Sequence, residues 1–297
     1  MEFLSVAKVA KKWNMSERSV RNYCAQGRVE GVVLVGKTWN IPADAEKPKR
    51  DNAGKFSNNE LLNVLKEQKD IKLAGGIYHK TQVELTYNSN HIEGSTLTHD
   101  QTRFIFETNT IGVDIDKSLN VDDIVETSNH FKCIDYVIEN AKKPLTEKFI
   151  KQLHFLLKSG TSDSRKSWFN VGEYKKLPNE VGGEETAKPE NVKSEMECLL
   201  AKYKAKKVKS FEDIVEFHKS FESIHPFQDG NGRVGRLIMF KECLANNIVP
   251  FIIDEEHKYY YYRGLKEWNN EKGFLIETCL SCQDKYKAWL DYFKIKY

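Results

Sequence analysis

Residues 225–236 read HPFQDGNGRVGR, and this stretch decides how the rest of the chain is interpreted. The segment before it, FEDIVEFHKSFESI, has helical spacing of apolar residues. Pro226 disfavours a helical residue before it, so this helix is predicted to end near Ile224. A loop with two glycines follows, and a second helix is predicted to begin near Asn231. The N–H groups at that helix start can face an anion, with the helix dipole behind them.

Four side chains in this stretch suit an anion that undergoes reaction. His225 is the only one with an ordinary pKa near neutrality, as a general base requires. Asp229 offers the hard oxygen that Mg²⁺ takes from a carboxylate when substrate phosphates supply further ligands. Arg233 and Arg236 are three residues apart on neighbouring helix surface, and each presents a planar fork to phosphate. The set indicates phosphoryl or nucleotidyl transfer; the alternative is a structural loop with a core histidine and two surface arginines.

Two phosphate-binding patterns elsewhere match in letters but not in context. Residues 31–38, GVVLVGKT, fit the phosphate-loop pattern GxxxxGK[ST], yet VVLV favours a strand and the following WNIP cannot begin a helix. Residues 230–235 fit the dinucleotide pattern GxGxxG, with Asp254 about 20 residues further on. A helix rather than a buried strand precedes that glycine pattern, so a dinucleotide fold is not expected.

Composition limits the class of protein. The chain has 297 residues, 40% hydrophobic and 30% charged, which is enough for two domains with buried cores. The formal net charge of +3 excludes a protein that coats polyanions, although residues 1–50 hold ten basic and five acidic residues. No stretch approaches the ~20 apolar residues that span a bilayer. Without a signal-peptide pattern, the six cysteines are interpreted as thiols of a cytoplasmic protein.

The first 45 residues are predicted to form a small separate module. Val6, Val9, Ala10 and Trp13 recur at helical spacing, and Ser16 is the predicted N-cap of a second helix. The sequence VVLVGKTWNIP then predicts two short strands that turn at Gly36-Lys37. Residues 46–60 are polar, charged and rich in turn residues, and are interpreted as a linker.

Residues 61–297 are predicted to be a helical domain, so the fold class is mainly α with a short β-hairpin. Helices are expected at 190–206, 210–223, 231–246, 255–270 and 274–294, and Thr146 is expected to cap a helix through Leu157. Thr98 with Gln101 and Ser210 with Asp213 resemble capping boxes. The exception is VGEYKKLPNEV, residues 171–181, which is predicted to be a hairpin or an extended flap.

The motif at residues 225–236 resembles the signature of the Fic family, HPFx[D/E]GNGRxxR, at every fixed position, and the resemblance extends over most of residues 80–280. It implies a helical enzyme that transfers AMP from ATP to a hydroxyl of a target protein. His225 would take the hydroxyl proton, and Asp229 would hold Mg²⁺ at the α- and β-phosphates. The anion hole would be formed by Gly230, Asn231 and Gly232. The β- and γ-phosphates would be bound by Arg233 and Arg236.

Two further stretches resemble parts of this family. The sequence VGEYKKLPNEVGG is similar to the flap that pairs with an extended target segment, with its tip at Pro178, Asn179, Glu180 and Val181. Tyr261-Tyr262 followed by Asn269 resembles the segment over adenine, in which Tyr261 would stack and Asn269 would donate or accept a hydrogen bond. The alternative for these tyrosines is a helix with core and surface aromatic residues, because four consecutive tyrosines leave the register open.

The segment Ser89-Asn90-His91-Ile92-Glu93-Gly94 matches the family's inhibitory motif, [S/T]xxxE[G/N]. Ser89 and Glu93 share one helix face, and Gly94 is a natural residue after a helix end. A glutamate in the last helical turn opposes the helix dipole, which indicates a purpose other than helix stability. The resemblance implies that Glu93 pairs with Arg236 and occupies the guanidinium that the γ-phosphate needs.

The N-terminal module resembles the winged helix-turn-helix of the MerR and excisionase type. In that geometry Arg18, Arg21 and Asn22 on the second helix would contact DNA, and Lys37 in the wing would contact phosphates. The alternative is an interaction module of the same fold that never binds DNA.

The sequence therefore predicts an autoinhibited, Mg²⁺-dependent protein adenylyltransferase that uses ATP and modifies Ser, Thr or Tyr of a target protein. Self-modification, removal of AMP and homo-oligomer formation are left open. The alternatives are a DNA-binding regulator that uses the Fic-like domain as a nucleotide sensor and an enzyme that transfers a different phosphate-containing group.

Overall fold

A computed structural model describes residues 2–15, 17–48, 60–112 and 118–297. The described part of the first 45 residues packs around a hydrophobic cluster that includes Val9, Trp13, Val20, Tyr23 and Ile41, and is called the N-terminal module below. Its elements are β1 (Phe3–Ser5), α1 (Val6–Trp13), α2 (Glu17–Ala25), β2 (Val33–Val35) and β3 (Thr38–Pro42).

The module's sheet is antiparallel with the order β1-β3-β2. Leu4 is opposite Ile41, and Leu34 is opposite Trp39. The two strands at Gly36-Lys37 are as predicted, but β1 was missed because three residues are too few to show an alternating pattern. Ser16, the predicted cap, lies outside the described residues, as do residues 49–59 of the predicted linker. The name winged helix-turn-helix remains a prediction.

The rest of the chain is helical. Its helices in chain order are α3 (Glu60–Asp70), α4 (Ile77–Ile92), α5 (His99–Thr108), α6 (Val121–Asn140), α7 (Glu147–Lys158), α8 (Pro189–Ala205), α9 (Phe211–Ile224), α10 (Asn231–Ala245), α11 (Glu255–Lys266) and α12 (Gly273–Tyr292). Both predicted capping boxes are present, at Thr98 with Gln101 and at Ser210 with Asp213. Thr146 caps α7, accepting a hydrogen bond from the N–H of Phe149.

Helix α10 is the centre of this domain. Its residues from Asn231 to Leu244 are all buried, and it packs against α4, α6, α7 and α9. A helix surrounded on all sides cannot present a polar outer face, so its two arginines need buried partners. The start of α10 is therefore held firmly where it follows the loop of residues 225–230, which is called the motif loop below.

The remaining elements lie around this core. The predicted hairpin exists, but its strands are β4 (Glu180–Val181) and β5 (Glu184–Glu185), joined by Gly182-Gly183 with φ values of 59° and 80°. Cys279 and Cys282 are buried thiols in α12. None of the helices among the described residues is long and apolar enough to cross a membrane.

Candidate active site

The loop between α9 and α10 is built on two backbone turns of left-handed geometry. His225 ends α9 with φ 51°, and Gly230 begins α10 with φ 79°. A positive φ costs glycine nothing, but it strains a residue with a side chain. The position of His225 is therefore imposed by the surrounding structure and not by its own preference.

Asn231 fixes the shape of the loop from inside. Its Oδ1 accepts a hydrogen bond from the N–H of Phe227 at 2.8 Å, and its Nδ2 donates to the carbonyl of Phe227 at 2.8 Å. The Phe227 ring is fully buried and stacks on His154 with centroids 4.0 Å apart. The side chain of Asn231 is therefore used within the loop, and any part of Asn231 in the predicted anion hole falls to its backbone N–H. What remains for an anion is the backbone N–H groups of Asn231 and Gly232 in the first turn of α10.

His225 is held as a neutral imidazole. Its side chain is mostly buried, and this burial lowers its pKa to about 4. The Nδ1 atom has no hydrogen-bond partner among the described residues and lies 4.0 Å from Oε2 of Glu222. Burial raises the pKa of Glu222 to about 8. At neutral pH the imidazole is therefore unprotonated, which is the form a general base needs, while the lowered pKa makes it a weaker base than a free imidazole.

Asp229 lies at the edge of a buried ion-pair network. Its Oδ2 accepts from Lys158 Nζ at 2.7 Å and from Arg233 at 3.2 Å, while half of its side chain stays exposed. Both cations also bind Glu126, which comes from α6. Burial opposes ionisation of Asp229, but Arg233 and Lys158 outweigh it and hold its pKa below the ordinary value. The carboxylate is therefore charged, held by both cations through one oxygen, and half exposed.

Arg236 is tied to the predicted inhibitory segment. Its Nε donates to Ser89 Oγ at 3.0 Å, and one terminal nitrogen donates to the Ser89 carbonyl at 2.9 Å and to Glu93 Oε1 at 2.7 Å. The Arg236 side chain is 3% exposed, whereas that of Glu93 is 32% exposed. Glu93 is the residue after the end of α4, and Gly94 follows with φ 97°. The structure thus brings Ser89, Glu93 and Arg236 together.

Gly232 provides the space for this contact. A Cβ at this position would overlap the Glu93 carboxylate and lie 3.0 Å from a terminal nitrogen of Arg236. The glycine in the motif therefore serves the Glu93 contact as well as the approach of an anion to the start of α10.

The predicted adenine contact with Tyr261 is wrong in register. Tyr261 is 1% exposed, and its hydroxyl lies 2.6 Å from Nε2 of His218 in the core, so its ring is not available for stacking. Tyr262 is the partly exposed tyrosine on the side of Glu93, and its hydroxyl donates to the carbonyl of Ile92 at 3.2 Å. Asn269 is exposed in the turn after α11.

The flap is joined to the motif loop at its base. The N–H of Lys175 donates to the carbonyl of Pro226 at 2.9 Å, and the N–H of Leu177 donates to Gln228 at 3.2 Å. Asn179 donates to the carbonyl of Phe227 at 3.0 Å and accepts from Lys175 at 2.6 Å, which corrects its predicted place at the tip. The tip is Gly182-Gly183.

Of the four residues predicted at the flap tip, Asn179 thus lies inside the flap, where its side chain bonds to Lys175 and Phe227. Pro178 precedes the strand, and Glu180 and Val181 form an exposed strand that an extended segment can reach. The exposed pair therefore remains available for the predicted docking of a target.

The predicted DNA surface of the N-terminal module is largely covered. Arg18 donates to the Glu256 carbonyl at 2.9 Å and to its carboxylate at 3.1 Å, and Asn22 donates to Ser281 at 3.0 Å. Helix α2 thus packs on α11 and α12, which corrects the prediction that Arg18 and Asn22 face DNA. Arg21 is exposed and pairs with Glu17 at 2.8 Å, and Lys37 is exposed in the hairpin turn.

Helix α11 joins this docked module to the end of α4. On one side Glu256 accepts a hydrogen bond from Arg18. On the same side the ring of His257 lies between two partners, with Nδ1 2.6 Å from Oδ1 of Asp254 and Nε2 3.2 Å from Oγ of Ser281. On the other side Lys258 donates to the carbonyl of His91 at 3.3 Å. One helix therefore contacts both the N-terminal module and the segment that carries Glu93.

The loop has the features needed for a triphosphate with a divalent cation. Asp229 supplies an ionised, half-exposed carboxylate, which is the ligand that Mg²⁺ takes from protein beside phosphate oxygens. The first turn of buried helix α10 supplies backbone N–H groups. Arg236 supplies a guanidinium whose present partner is a glutamate. The residues present therefore fit Mg²⁺ and a nucleotide.

Motif reading missed Lys158, Glu126 and Glu222. Lys158 continues the buried stripe of α7 that includes Ile150, Leu153, His154 and Leu157. A lysine at such a position signals a buried ion pair, because an unpaired ammonium is rarely buried. The same signal marks Glu126, four residues before buried His130 in α6.

Comparisons with known proteins agree with this site. Residues 144–243 match the model of the Fic/DOC family. The chain is 29% identical over 192 residues to the protein adenylyltransferase Fic of Aedes aegypti, covering 63% of this chain and 37% of that protein. It is 26% identical over 223 residues to the protein adenylyltransferase Fic of Nematostella vectensis, covering 71% of this chain and 51% of that protein. The chain thus spans about half or less of these relatives' length.

Solved structures give the same fold. A Fic domain containing signaling protein from Bacteroides thetaiotaomicron has a TM-score of 0.59 at 27% identity, covering 80% of this chain and 91% of that chain. Fic-1 from C. elegans has a TM-score of 0.59 at 17% identity, covering 79% of this chain and 72% of that chain. These findings support a Fic/DOC family domain in the helical part of the chain.

Proposed function

We propose that this protein is an autoinhibited adenylyltransferase that transfers AMP from ATP to a Ser, Thr or Tyr hydroxyl of a target protein. The observation that carries the proposal is that His225 and Asp229 lie in one loop, which leads directly into the first turns of α10 and Arg236. The names of the relatives, protein adenylyltransferase Fic, support the same activity.

In the proposed reaction His225 accepts the proton of the target hydroxyl. A bond forms between the hydroxyl oxygen and the α-phosphorus, the bond from that phosphorus to the bridging oxygen breaks, and pyrophosphate leaves. The imidazole is unprotonated at neutral pH, as this step requires, because burial lowers the pKa of His225 to about 4. Positioning and charge neutralisation account for most of the catalysis in such a transfer.

The phosphates are bound by groups that the structure already holds rigid. The N–H groups at the start of α10 donate to phosphate oxygens, and Arg233 contributes a fixed positive charge held by Glu126. Asp229 is the residue that would hold Mg²⁺, which when bound would neutralise charge on the phosphates. Arg236 binds the γ-phosphate once Glu93 has left it.

Glu93 acts as the inhibitor in this proposal. Its carboxylate accepts a hydrogen bond from a terminal nitrogen of Arg236 at 2.7 Å and fills the space beside Gly232. ATP must therefore displace this carboxylate or bind with its triphosphate elsewhere. Because Glu93 is partly exposed and lies just beyond the end of α4, it can move without unfolding the helix.

The target protein docks on the flap in this proposal. Glu180 and Val181 form an exposed strand whose backbone can pair with an extended segment. The bonds from Lys175 and Leu177 to the motif loop keep that strand near His225. A hydroxyl carried by the paired segment can thereby reach the imidazole.

The proposal is tested by Glu93→Gly with ATP labelled at the α-phosphate. We expect increased incorporation of AMP into the protein itself and into lysate proteins, with release of pyrophosphate, and mass spectrometry identifies the added group. The matched control is Glu255→Ala, which removes an exposed carboxylate 3.2 Å from His91 without touching Arg236. Glu93→Gly combined with His225→Ala is expected to be inactive. Unchanged incorporation by Glu93→Gly would contradict inhibition, and a different added mass would identify another transferred group.

A regulator that binds DNA through α2 is not supported by the contacts of that helix. Arg18 and Asn22 are engaged with α11 and α12, so only Arg21 and Lys37 of the four predicted residues remain outward. Salt-dependent binding of duplex DNA by the full chain, lost in Arg21→Ala with Lys37→Ala, would restore this function as a second one.

A further inference from the structure

Lys175 is a buried lysine at the base of the flap, and it is 4% exposed. Its ammonium donates to three neutral oxygens, which are Oδ1 of Asn179 at 2.6 Å, Oγ1 of Thr186 at 2.6 Å and the carbonyl of Ile224 at 3.4 Å. An ammonium has three donors, so these three acceptors satisfy it. Within the described part of the chain, no carboxylate forms an ion pair with it.

A buried lysine without an ion-pair partner is costly to the fold. Lysine is rarely buried unless it is paired, because its charge loses the solvation of water. Burial lowers the pKa of Lys175 to about 8, so the side chain still carries its charge at pH 7. A side chain that breaks a rule of stability in this way indicates a use other than packing.

The contacts of Lys175 lie on both sides of His225. Its backbone N–H donates to the carbonyl of Pro226 at 2.9 Å, and its ammonium donates to the carbonyl of Ile224. These are the residues directly after and directly before His225, whose backbone has the left-handed φ of 51°. Because that conformation must be imposed by the surroundings, Lys175 supplies part of the constraint.

The same ammonium closes the hairpin of the flap. Asn179 directly precedes β4 and Thr186 directly follows β5, so one nitrogen contacts both ends of the hairpin. The third contact of that nitrogen is the end of α9. The strand proposed to dock a target is thus tied through one side chain to the backbone that carries the imidazole.

Lys175 also contributes a charge beside the imidazole of His225. The charges of Glu93 and Asp229 raise the pKa of His225, and the charge of Lys175 lowers it. The Glu222 carboxyl lies 4.0 Å from Nδ1, and burial raises its own pKa to about 8. A bound triphosphate would add negative charge and favour the protonated imidazole further. A fixed positive charge on the flap side opposes that effect.

We propose that Lys175 is a positioning residue of the active site: its ammonium ties both ends of the flap to the backbone beside His225, and its positive charge opposes the acids around the imidazole. It acts through His225 and the flap. The proposal rests on the proposed function for the reaction that it serves. The restraint of the flap and the charge beside the imidazole are nevertheless properties of the nucleotide-free protein.

The charge is tested by NMR titration of the full chain labelled with ¹⁵N-histidine, without nucleotide, with His225→Ala used to assign the ring signals. In Lys175→Gln we expect the His225 midpoint to rise by at least about half a pH unit, since loss of a neighbouring positive charge favours the imidazolium. The matched control is Lys176→Gln, which removes the exposed ammonium of the next residue and should leave the midpoint unchanged. Lys175→Arg keeps the charge and should restore a midpoint close to that of the wild type.

An unchanged midpoint in Lys175→Gln would overturn the proposal. So would the same rise in Lys176→Gln, because the effect would then be one of general surface charge.

The restraint is tested by amide hydrogen exchange of residues 175–181 at pH 7, followed by mass spectrometry. In Lys175→Met, which loses all three side-chain bonds, we expect exchange in this segment to be at least about threefold faster, while exchange in α12 stays unchanged. Thr186→Val removes one acceptor and should give a smaller increase, and Lys176→Gln should give none. Unchanged exchange of the segment in Lys175→Met would overturn the proposal.

Circular dichroism shows whether the Lys175 variants are folded. If they are not, Thr186→Val decides, because it leaves the lysine in place. Faster exchange of residues 175–181 in this variant then supports the proposal, and unchanged exchange overturns it.

The effect on the reaction is measured in the Glu93→Gly background, as the rate of AMP transfer at pH 5 divided by the rate at pH 7.5. This ratio does not depend on the fraction of folded enzyme. Adding Lys175→Gln should lower the ratio by about twofold, because more of the imidazole is protonated at pH 5, whereas Lys176→Gln should leave it unchanged. An unchanged ratio with Lys175→Gln would contradict a role in the reaction.

The two proposals fail in different ways. Absence of AMP transfer in Glu93→Gly would remove the proposed function and leave the titration and exchange results interpretable. An unchanged His225 midpoint in Lys175→Gln would remove the role of Lys175 and leave AMP transfer untouched.

Discussion

The motif loop and the N-terminal module both present arginines that suit an anionic ligand, but the two regions hold them differently. In the loop, the side chains of Arg233 and Arg236 are 7% and 3% exposed and pair with acids from α6 and from the end of α4. In the module, Arg18 is 27% exposed and pairs with Glu256, which is 66% exposed. The first region is a buried charge network, and the second is a solvent-screened contact between two domains.

This difference separates two uses of a charged side chain. A buried pair that loses one partner leaves a charge without water, whereas an exposed pair exchanges its partner for solvent at little cost. The loop arginines can therefore change partner only by exchange for another anion. The Arg18–Glu256 pair of the module can exchange for solvent with a small change in free energy.

The largest expected effect is on the reaction. His225→Ala should lower AMP transfer in the Glu93→Gly background by roughly 10²–10⁴-fold, the usual contribution of a general base. ATP binding should remain within a few fold, because the phosphates are bound by other groups. Calorimetry with a nonhydrolysable ATP analogue, alongside the labelled-AMP assay, checks both parts. Full activity of this variant would place the base elsewhere.

The second prediction compares the two kinds of ion pair by their acids. Glu126→Gln, which leaves Arg233 and Lys158 with one carboxylate fewer, should lower the free energy of unfolding by about 3–5 kcal/mol. Glu256→Gln, which leaves the exposed Arg18, should change it by at most about 1 kcal/mol. Urea unfolding of both variants measures this. Equal effects would mean that burial does not distinguish the two regions.

The third prediction concerns pH. Burial lowers the pKa to about 4 for His225 and to about 3 for the other buried histidines around the site, His130, His154 and His218. Their ordinary pKa is about 6.5, so between pH 6.5 and pH 4 the unfolded chain binds more protons than the folded one. Stability should therefore fall as the pH is lowered through that window.

Glu222 acts in the opposite sense, because burial raises its pKa to about 8, but it is one group against four. Urea unfolding at pH 7, 6 and 5 gives the slope. His130→Asn should reduce that slope, because it removes one of the four buried histidines. A flat profile would show that the histidines titrate in the folded state as they do in solvent.

The smallest effect is expected at the contact of the module. Arg18→Ala with Asn22→Ala should lower the free energy of unfolding by roughly 1 kcal/mol, because both hydrogen bonds lie at a partly exposed interface. Limited proteolysis should cut between the two domains faster in this double variant. A loss above about 3 kcal/mol would show that the two regions fold as one unit.

The sequence predicted the parts of the fold that depend on local rules. Helix ends at Thr98, Thr146 and Ser210 follow capping chemistry, which needs only a few neighbouring residues to be specified. The approach of Glu93 to Arg236 joins distant segments and was implied only by the resemblance of residues 89–94 to a family motif.

The features that were missed depend on packing between distant segments. The burial of Tyr261 was set by His218, 43 residues earlier in the chain, and the four consecutive tyrosines gave no local preference for one register. The outward face of α2 was predicted for an isolated module, but Ser281 of α12 covers Asn22. Lys158 was missed because its three acids come from different parts of the chain.

The left-handed backbone of His225 has a consequence for how this protein responds to selection. Glycine or asparagine would occupy φ 51° with less strain, and the difference for a residue in this region is on the order of 1 kcal/mol. A screen for thermal stability alone would thus favour variants that have discarded the imidazole. A duplicated gene that is no longer selected for activity would therefore be expected to lose His225 early. Its product would be more stable and catalytically inactive.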